Sequence, residues 1–115
     1  MTAPSHGPCL TTEVVGATTV ARFRGARLCL DETNAPPAGE ALSALADRVG
    51  SGKLVLDLGN VAYMSSAGLG VLIALHKQMQ AAGGSLALGN LQPAVRELFV
   101  VTRLHTLLDI GGKVP

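Results

Sequence analysis

Apolar positions along this chain recur with two different periods, and the change from one to the other marks out the elements. Leu42, Leu45, Ala46 and Val49 fall at i, i+3, i+4 and i+7, one face of a helix that Gly50-Ser51-Gly52 ends. Pro36-Pro37 ahead of it suits a loop or first turn, where no helical N–H is required. Upstream, "TTEVVGATTVARFRG" contains two β-rich pieces, around Glu13–Val15 and Thr19–Phe23, parted by Gly16-Ala17. They predict a hairpin or a bent first strand pair, and "ARLCLD" starts out extended. Downstream, "KLVLDLGNV" is apolar at successive positions, as in a strand covered on both faces, and Gly59-Asn60 is its stop signal.

A second helix follows, with Leu69, Leu72, Ile73, His76 and Met79 on one face and Gly83-Gly84 at its end. "SLALGNL" reads as a short strand. Pro93 fits the first turn of a third helix, "PAVRELFVVT", whose buried stripe is Val95, Leu98 and Phe99. "LHTLLDI" is a last strand or a short helical end. Strands alternating with helices predict an α/β domain. Its sheet is expected to be mixed, mostly parallel, of four to five strands with about three packed helices. The expected boundaries are a loose arm over residues 1–12, the domain over 13–110 and a flexible tail over 111–115. Right-handed crossovers put the post-strand loops along one sheet edge, the usual place for function in such domains. "YMSSAGLG", residues 63–70, is one of these loops.

Composition narrows the chemistry. In 115 residues, 48% are apolar and 15% charged, with a formal net charge of +1, so the chain folds but has no charge-based attraction for nucleic acid or anionic membrane. Aromatics are limited to Tyr63, Phe23 and Phe99, which leaves the core to Leu, Val, Ile and Ala. Two cysteines, Cys9 and Cys29, make no disulfide framework. No signal peptide or spanning segment is visible, so a cytoplasmic setting is expected.

The serine loop offers a helix cap, since Ser65 or Ser66 can accept a hydrogen bond from an early helical N–H. Capping does not explain Gly68 and Gly70, each of which costs up to about 1 kcal/mol in a helix relative to Ala. Two such residues at a helix start point to close backbone approach, by the body of the fold or by a partner.

Enzymatic readings fail on spacing. The nucleophile elbow lacks its first glycine, because Ala62 and Tyr63 precede the serines. The phosphate-cradling glycine loop is absent, and the "GLG" run completes no dinucleotide fingerprint. His6, His76 and His105 have no orienting partner in sequence and are expected in ordinary structural or surface roles. Cys9 with His6 lacks a second ligand pair for a metal, and Cys29 in its apolar stretch is expected in the core. Asp57 ends a strand as a phospho-accepting aspartate would. No acidic pair accompanies it to hold a divalent cation, so a structural or surface carboxylate is expected. No catalytic residue, metal or cofactor is predicted.

"KLVLDLGNVAYMSSAGLGVLIALHKQMQAAGGSLALGNLQPAVRELFVVTRLHTLLDI", residues 53–110, resembles the anti-sigma factor antagonists of the STAS family (sulfate transporter and anti-sigma factor antagonist) in the order of all its parts. Residues 13–52 are consistent with it. The resemblance implies a small α/β domain that binds a serine-kinase anti-sigma factor and frees the sigma factor. Phosphorylation by the kinase then breaks the complex, and a serine phosphatase restores it. Matching Gly68 to the glycine of the family's Asp-Ser-Ser/Thr-Gly loop puts the phospho-acceptor at Ser66. Here Ser65 replaces the family's Asp and Ala67 its second hydroxyl residue. The family's C-terminal helix is expected to be reduced or absent, since the chain stops soon after Ile110.

The contact surface this implies is Tyr63, Met64, Ser65, Ser66, Ala67, Gly68, Leu69 and Gly70. A phosphate there adds about −1.5 to −2 charge, tolerated at a free helix N-terminus and opposed in an acidic or apolar interface. A second expectation from the same family is a scaffold or transport-complex subunit that uses the loop without ever being phosphorylated.

Overall fold

The computed structural model describes residues 10–23, 28–32 and 35–112. Strands β1 (Leu10–Val15) and β2 (Thr18–Phe23) form the expected hairpin, antiparallel from Leu10↔Phe23 to Val15↔Thr18. Gly16 turns the chain with φ 63, a value that costs glycine nothing. After β3 (Leu28–Leu30) come α1 (Ala35–Val49), β4 (Lys53–Asp57), β5 (Val61–Met64), α2 (Ser66–Ala81), β6 (Ser85–Gly89), α3 (Pro93–Val101) and β7 (Asp109–Gly112). A 3-10 turn over Leu104–Thr106 connects the last two.

Five strands make one sheet in the order β1-β2-β4-β6-β7, parallel except for the β1–β2 pair. The α/β class, the mixed sheet and the three helices are thus as the sequence predicts. Ala21, Phe23, Leu54, Leu56, Leu86 and Leu88 point to one face, where they pack with Leu42 of α1, Leu72 and Met79 of α2, and Val95 and Phe99 of α3. Val20, Val55 and Ala87, one residue out of phase, form a small buried cluster on the other face. The unbroken apolar run in β4 follows, since Leu54, Val55 and Leu56 are all buried.

Several expectations change. The first strand begins at Leu10, so residues 10–12 are strand rather than arm. Likewise, β7 extends to Gly112 instead of giving way to a tail at residue 111. His6, Cys9 and the rest of residues 1–9 lie outside the described residues, as do 113–115. Cys29 is exposed, not a core residue. In the three-residue β3, side chains alternate, and the inward place goes to Leu30. Finally, Val61–Met64 is a strand of its own, which pairs with β3 in a separate two-stranded sheet.

Candidate functional site

The serine loop is built on that small sheet. β3 and β5 run parallel, with Cys29↔Tyr63 and Leu30↔Met64 paired and an irregularity between Leu28 and Cys29. Beyond the last pair, the Ser65 N–H donates to the Leu30 carbonyl at 2.8 Å. Ser65 is extended (φ −91°, ψ −179°) and is the N-cap of α2. Its Oγ accepts from the Ala67 N–H at 3.2 Å, and its carbonyl accepts the Leu69 N–H at 3.0 Å. One serine therefore ties both ends of the strand-to-helix step, and the next, Ser66, opens the helix with its side chain exposed. The first turn of α2 holds no acidic residue, so its positive end is uncompensated by a carboxylate of its own.

The eight loop residues divide by burial. Tyr63, Ser66 and Gly70 are exposed, Ser65 and Ala67 half-buried, and Met64, Gly68 and Leu69 buried. Met64 and Leu69 face the core because strand and helix each turn one side inward. Their side chains are not available to a partner, which corrects the surface expected from sequence. The two glycines also separate. A Cβ at Gly68 would stand 2.6 Å from Met64 Cγ and 2.9 Å from both the Leu30 Cβ and carbonyl oxygen. Gly68 lets α2 sit against β3. At Gly70 nothing lies within 4 Å, and its bare backbone faces an apolar groove.

That groove, about 640 Å³, runs between α1 and α2 and is lined among others by Gly39, Glu40, Ala67, Gly70, Val71 and Ala74. Periodicity did not reveal it. Ala and Gly on a helix signal neither burial nor exposure, and the groove depends on the distance between two helices. Leu75, absent from the predicted α2 stripe, is buried along it.

Asp57 holds the approach to β5. Its Oδ2 pairs with Arg22 Nε at 3.1 Å, while Oδ1 accepts the Gly59 N–H at 2.8 Å and Asn90 Nδ2 at 3.3 Å. Asn60 Nδ2 donates to the Phe23 carbonyl at 2.8 Å, and Gln92 Nε2 to the Gly59 carbonyl at 2.7 Å. The 57–60 turn is thus fastened to the ends of β2 and β6. The carboxylate is 13% exposed and the Arg22 side chain 42%, so Asp57 is a structural hub. Asn60 and Gln92 share this role, which their sequence context did not signal.

Neither histidine among the described residues forms a base–nucleophile pair. Both ring nitrogens of His76 are buried without a partner, and His105 Nδ1 lies 3.2 Å from the Phe99 carbonyl. Among the described residues no cluster of His, Cys, Asp and Glu could hold a metal ion. The loop's exposed groups are the Ser66 hydroxyl, the Tyr63 ring and the bare backbone at Gly70.

Comparison with known proteins identifies the family of the chain. The anti-sigma-B factor antagonist of Bacillus subtilis is 38% identical over 84 residues, 73% of this chain and 75% of that protein. The crystal structure of an anti-sigma factor antagonist from Mycobacterium paratuberculosis superposes with a TM-score of 0.77 at 23% identity, covering 99% of this chain and 92% of that one. The murine Solute Carrier 26 member A9 anion transporter contains a similar fold, with a TM-score of 0.64 at 18% identity over 77% of this chain and 14% of its own. The STAS domain model matches residues 10–114, and the chain belongs to the STAS domain family.

Proposed function

We propose that this protein is a non-catalytic anti-sigma factor antagonist, switched by phosphorylation of Ser66. Unmodified, it binds a serine-kinase anti-sigma factor through Tyr63, Ser65, Ser66, Ala67 and Gly70, with Met64, Gly68 and Leu69 shaping that surface from beneath. The observation that carries the reading is the exposed Ser66 hydroxyl at the first position of α2, beside the Ser65 cap. The kinase transfers the γ-phosphoryl of ATP to the Ser66 Oγ, releasing ADP and the hydroxyl proton, and a serine phosphatase hydrolyses the ester. In the free domain the helix N-terminus accommodates the dianion. In the complex the same charge needs room and desolvation, and binding is lost. In this reading the protein acts in the cytoplasm. Among the described residues no helix is long and apolar enough to cross a membrane.

The test is intact mass after incubation with ATP and each purified serine-kinase anti-sigma factor of the source genome, with Ser66→Ala and Ser65→Ala in parallel. A single added phosphate, lost with Ser66→Ala and kept with Ser65→Ala, supports the reading. Binding to a kinase with no phosphate from any of them instead favours the second reading, a constitutive scaffold or transport-complex subunit. Ala67 and the Ser65 cap, where the resemblance leads one to expect a hydroxyl and an aspartate, favour that alternative.

A further inference from the structure

Among the described residues, the outer edge of the five-stranded sheet carries little against pairing beyond the single charge of Glu13. β1 is its terminal strand, with β2 as its one neighbour among the described residues. Natural edge strands are commonly blunted by lysine, proline, a bulge or very short length. Leu10-Thr11-Thr12-Glu13-Val14-Val15 has six residues, no proline and one charge, and pairs with β2 without a bulge. Val14 is 73% exposed and Val15 41%.

The hairpin sets which backbone groups face outward. A two-residue loop, Gly16-Ala17, closes on Val15↔Thr18, which is therefore a hydrogen-bonded pair. Alternation makes Glu13↔Val20 and Thr11↔Arg22 hydrogen-bonded too. Leu10, Thr12 and Val14 then turn their N–H and C=O groups away from β2, toward the open edge.

We infer that β1 is a homodimer edge, pairing antiparallel with β1 of a second copy about a two-fold axis at Thr12. A two-fold pairing must bring outward-facing residues opposite each other, and centring on Thr12 does this for Thr12↔Thr12 and for both Leu10↔Val14 pairs. Apolar residues then meet apolar residues. Glu13 of each copy falls opposite Thr11 of the other, so the one charge on the strand never faces its own image. On the helix side, a hollow of about 280 Å³ lies between this edge and α1, lined by Thr12, Val14, Thr19, Leu45, Arg48 and Val49. The second copy would cover it and extend the sheet from five strands to ten. The surface shares no residue with the serine loop, so the proposal stands apart from the reading above.

The test uses the full chain in a Cys9→Ser, Cys29→Ser background. Across a hydrogen-bonded antiparallel pair the Cα atoms stand about 5.5 Å apart, within disulfide reach. Mild oxidation should therefore cross-link Thr12→Cys to a covalent dimer and leave Thr11→Cys and Glu13→Cys largely monomeric, because like residues there are two positions out of line. In sedimentation equilibrium the unmodified chain should show a concentration-dependent dimer. Val14→Lys, which sets a charge opposite Leu10 of the second copy, should weaken it by about tenfold or more while leaving the circular dichroism spectrum unchanged. A monomer at every concentration up to millimolar would overturn the inference. So would a dimer that is indifferent to Val14→Lys and cross-links no better at Thr12 than at Thr11.

Discussion

The Leu30 carbonyl accepts the Ser65 N–H at 2.8 Å, and the same oxygen would lie only 2.9 Å from a Cβ placed on Gly68. One peptide group of β3 thus sets both where the serine loop begins and how near α2 can come. Residues 65 and 68 are not independent: the cap keeps its geometry because the glycine lets the helix approach.

The two loop glycines should respond oppositely to alanine. Gly68→Ala gains helix propensity of about 1 kcal/mol but pushes a methyl into Leu30 and Met64, a backbone-limited clash that should leave a net loss of about 1–3 kcal/mol. Gly70→Ala meets nothing and should stabilise by about 0.5–1 kcal/mol. Urea denaturation of the two variants checks this. If the bare backbone at Gly70 serves contact with the anti-sigma factor, Gly70→Ala should also lose affinity while gaining stability, a separation that calorimetric titration would reveal.

Ser65→Ala removes the cap and should cost about 1 kcal/mol. Ser65→Asp restores a capping oxygen and adds a charge favourable at a helix N-terminus, so it should equal or exceed the unmodified chain by about 0.3–1 kcal/mol. Thermal melts at low and high salt separate the two contributions, because the charge effect falls with ionic strength.

Ser66 is exposed, and both Ser66→Ala and Ser66→Asp should change stability by no more than about 0.5 kcal/mol. Their binding should diverge. Ser66→Ala should keep affinity for the anti-sigma factor and Ser66→Asp should lose about tenfold or more, a loss of about 1.4 kcal/mol. Equal affinity of the two by titration would argue for the constitutive scaffold.

Asp57→Ala strips the Gly59 N–H, Asn90 and Arg22 of their shared acceptor. With Arg22 well exposed the ion pair itself contributes little, and the larger loss comes from the part-buried Gly59 N–H, about 1–3 kcal/mol in all. Because the 57–60 turn leads into β5, amide chemical shifts should move at Ser65 and Ser66 as well as at the site. Shifts confined to residues near 57 would show that the turn does not position the loop.

His76→Leu should stabilise the protein. Both ring nitrogens are buried without partners, and removing unsatisfied polar atoms of this kind recovers about 1–3 kcal/mol. A fall in the denaturation midpoint would mean that the imidazole is satisfied in solution, for example by a bound water.

The hairpin, the alternation of strands with helices and the three helices were legible because each rests on a local signal. Gly16-Ala17 breaks two β-rich runs, Leu42 to Val49 repeats with helical period, and Pro93 opens α3. The second sheet was not legible. Val61–Met64 is four residues long and Leu28–Leu30 three, and the alternation in each is too short to show a period. Cys29 was misplaced for the same reason. At the site, Ser65 as cap and Ser66 as exposed hydroxyl follow from the strand-to-helix step. The burial of Met64 and Leu69 follows from long-range packing against residues such as Leu30, which no spacing within residues 63–70 encodes. The roles of Asp57, Asn60 and Gln92 likewise depend on strand ends that lie far apart in sequence.

The separateness of the β3–β5 sheet has a kinetic consequence. Amide hydrogens in β4 and β6 sit in the middle of the five-stranded sheet and are expected to exchange with solvent through openings that take in most of the domain. The Ser65 amide depends on one acceptor, Leu30, at the end of a two-stranded ribbon. It can exchange through a small opening that leaves the five-stranded sheet intact. The loop can therefore open at the cost of a few local hydrogen bonds, while the domain behind it stays folded.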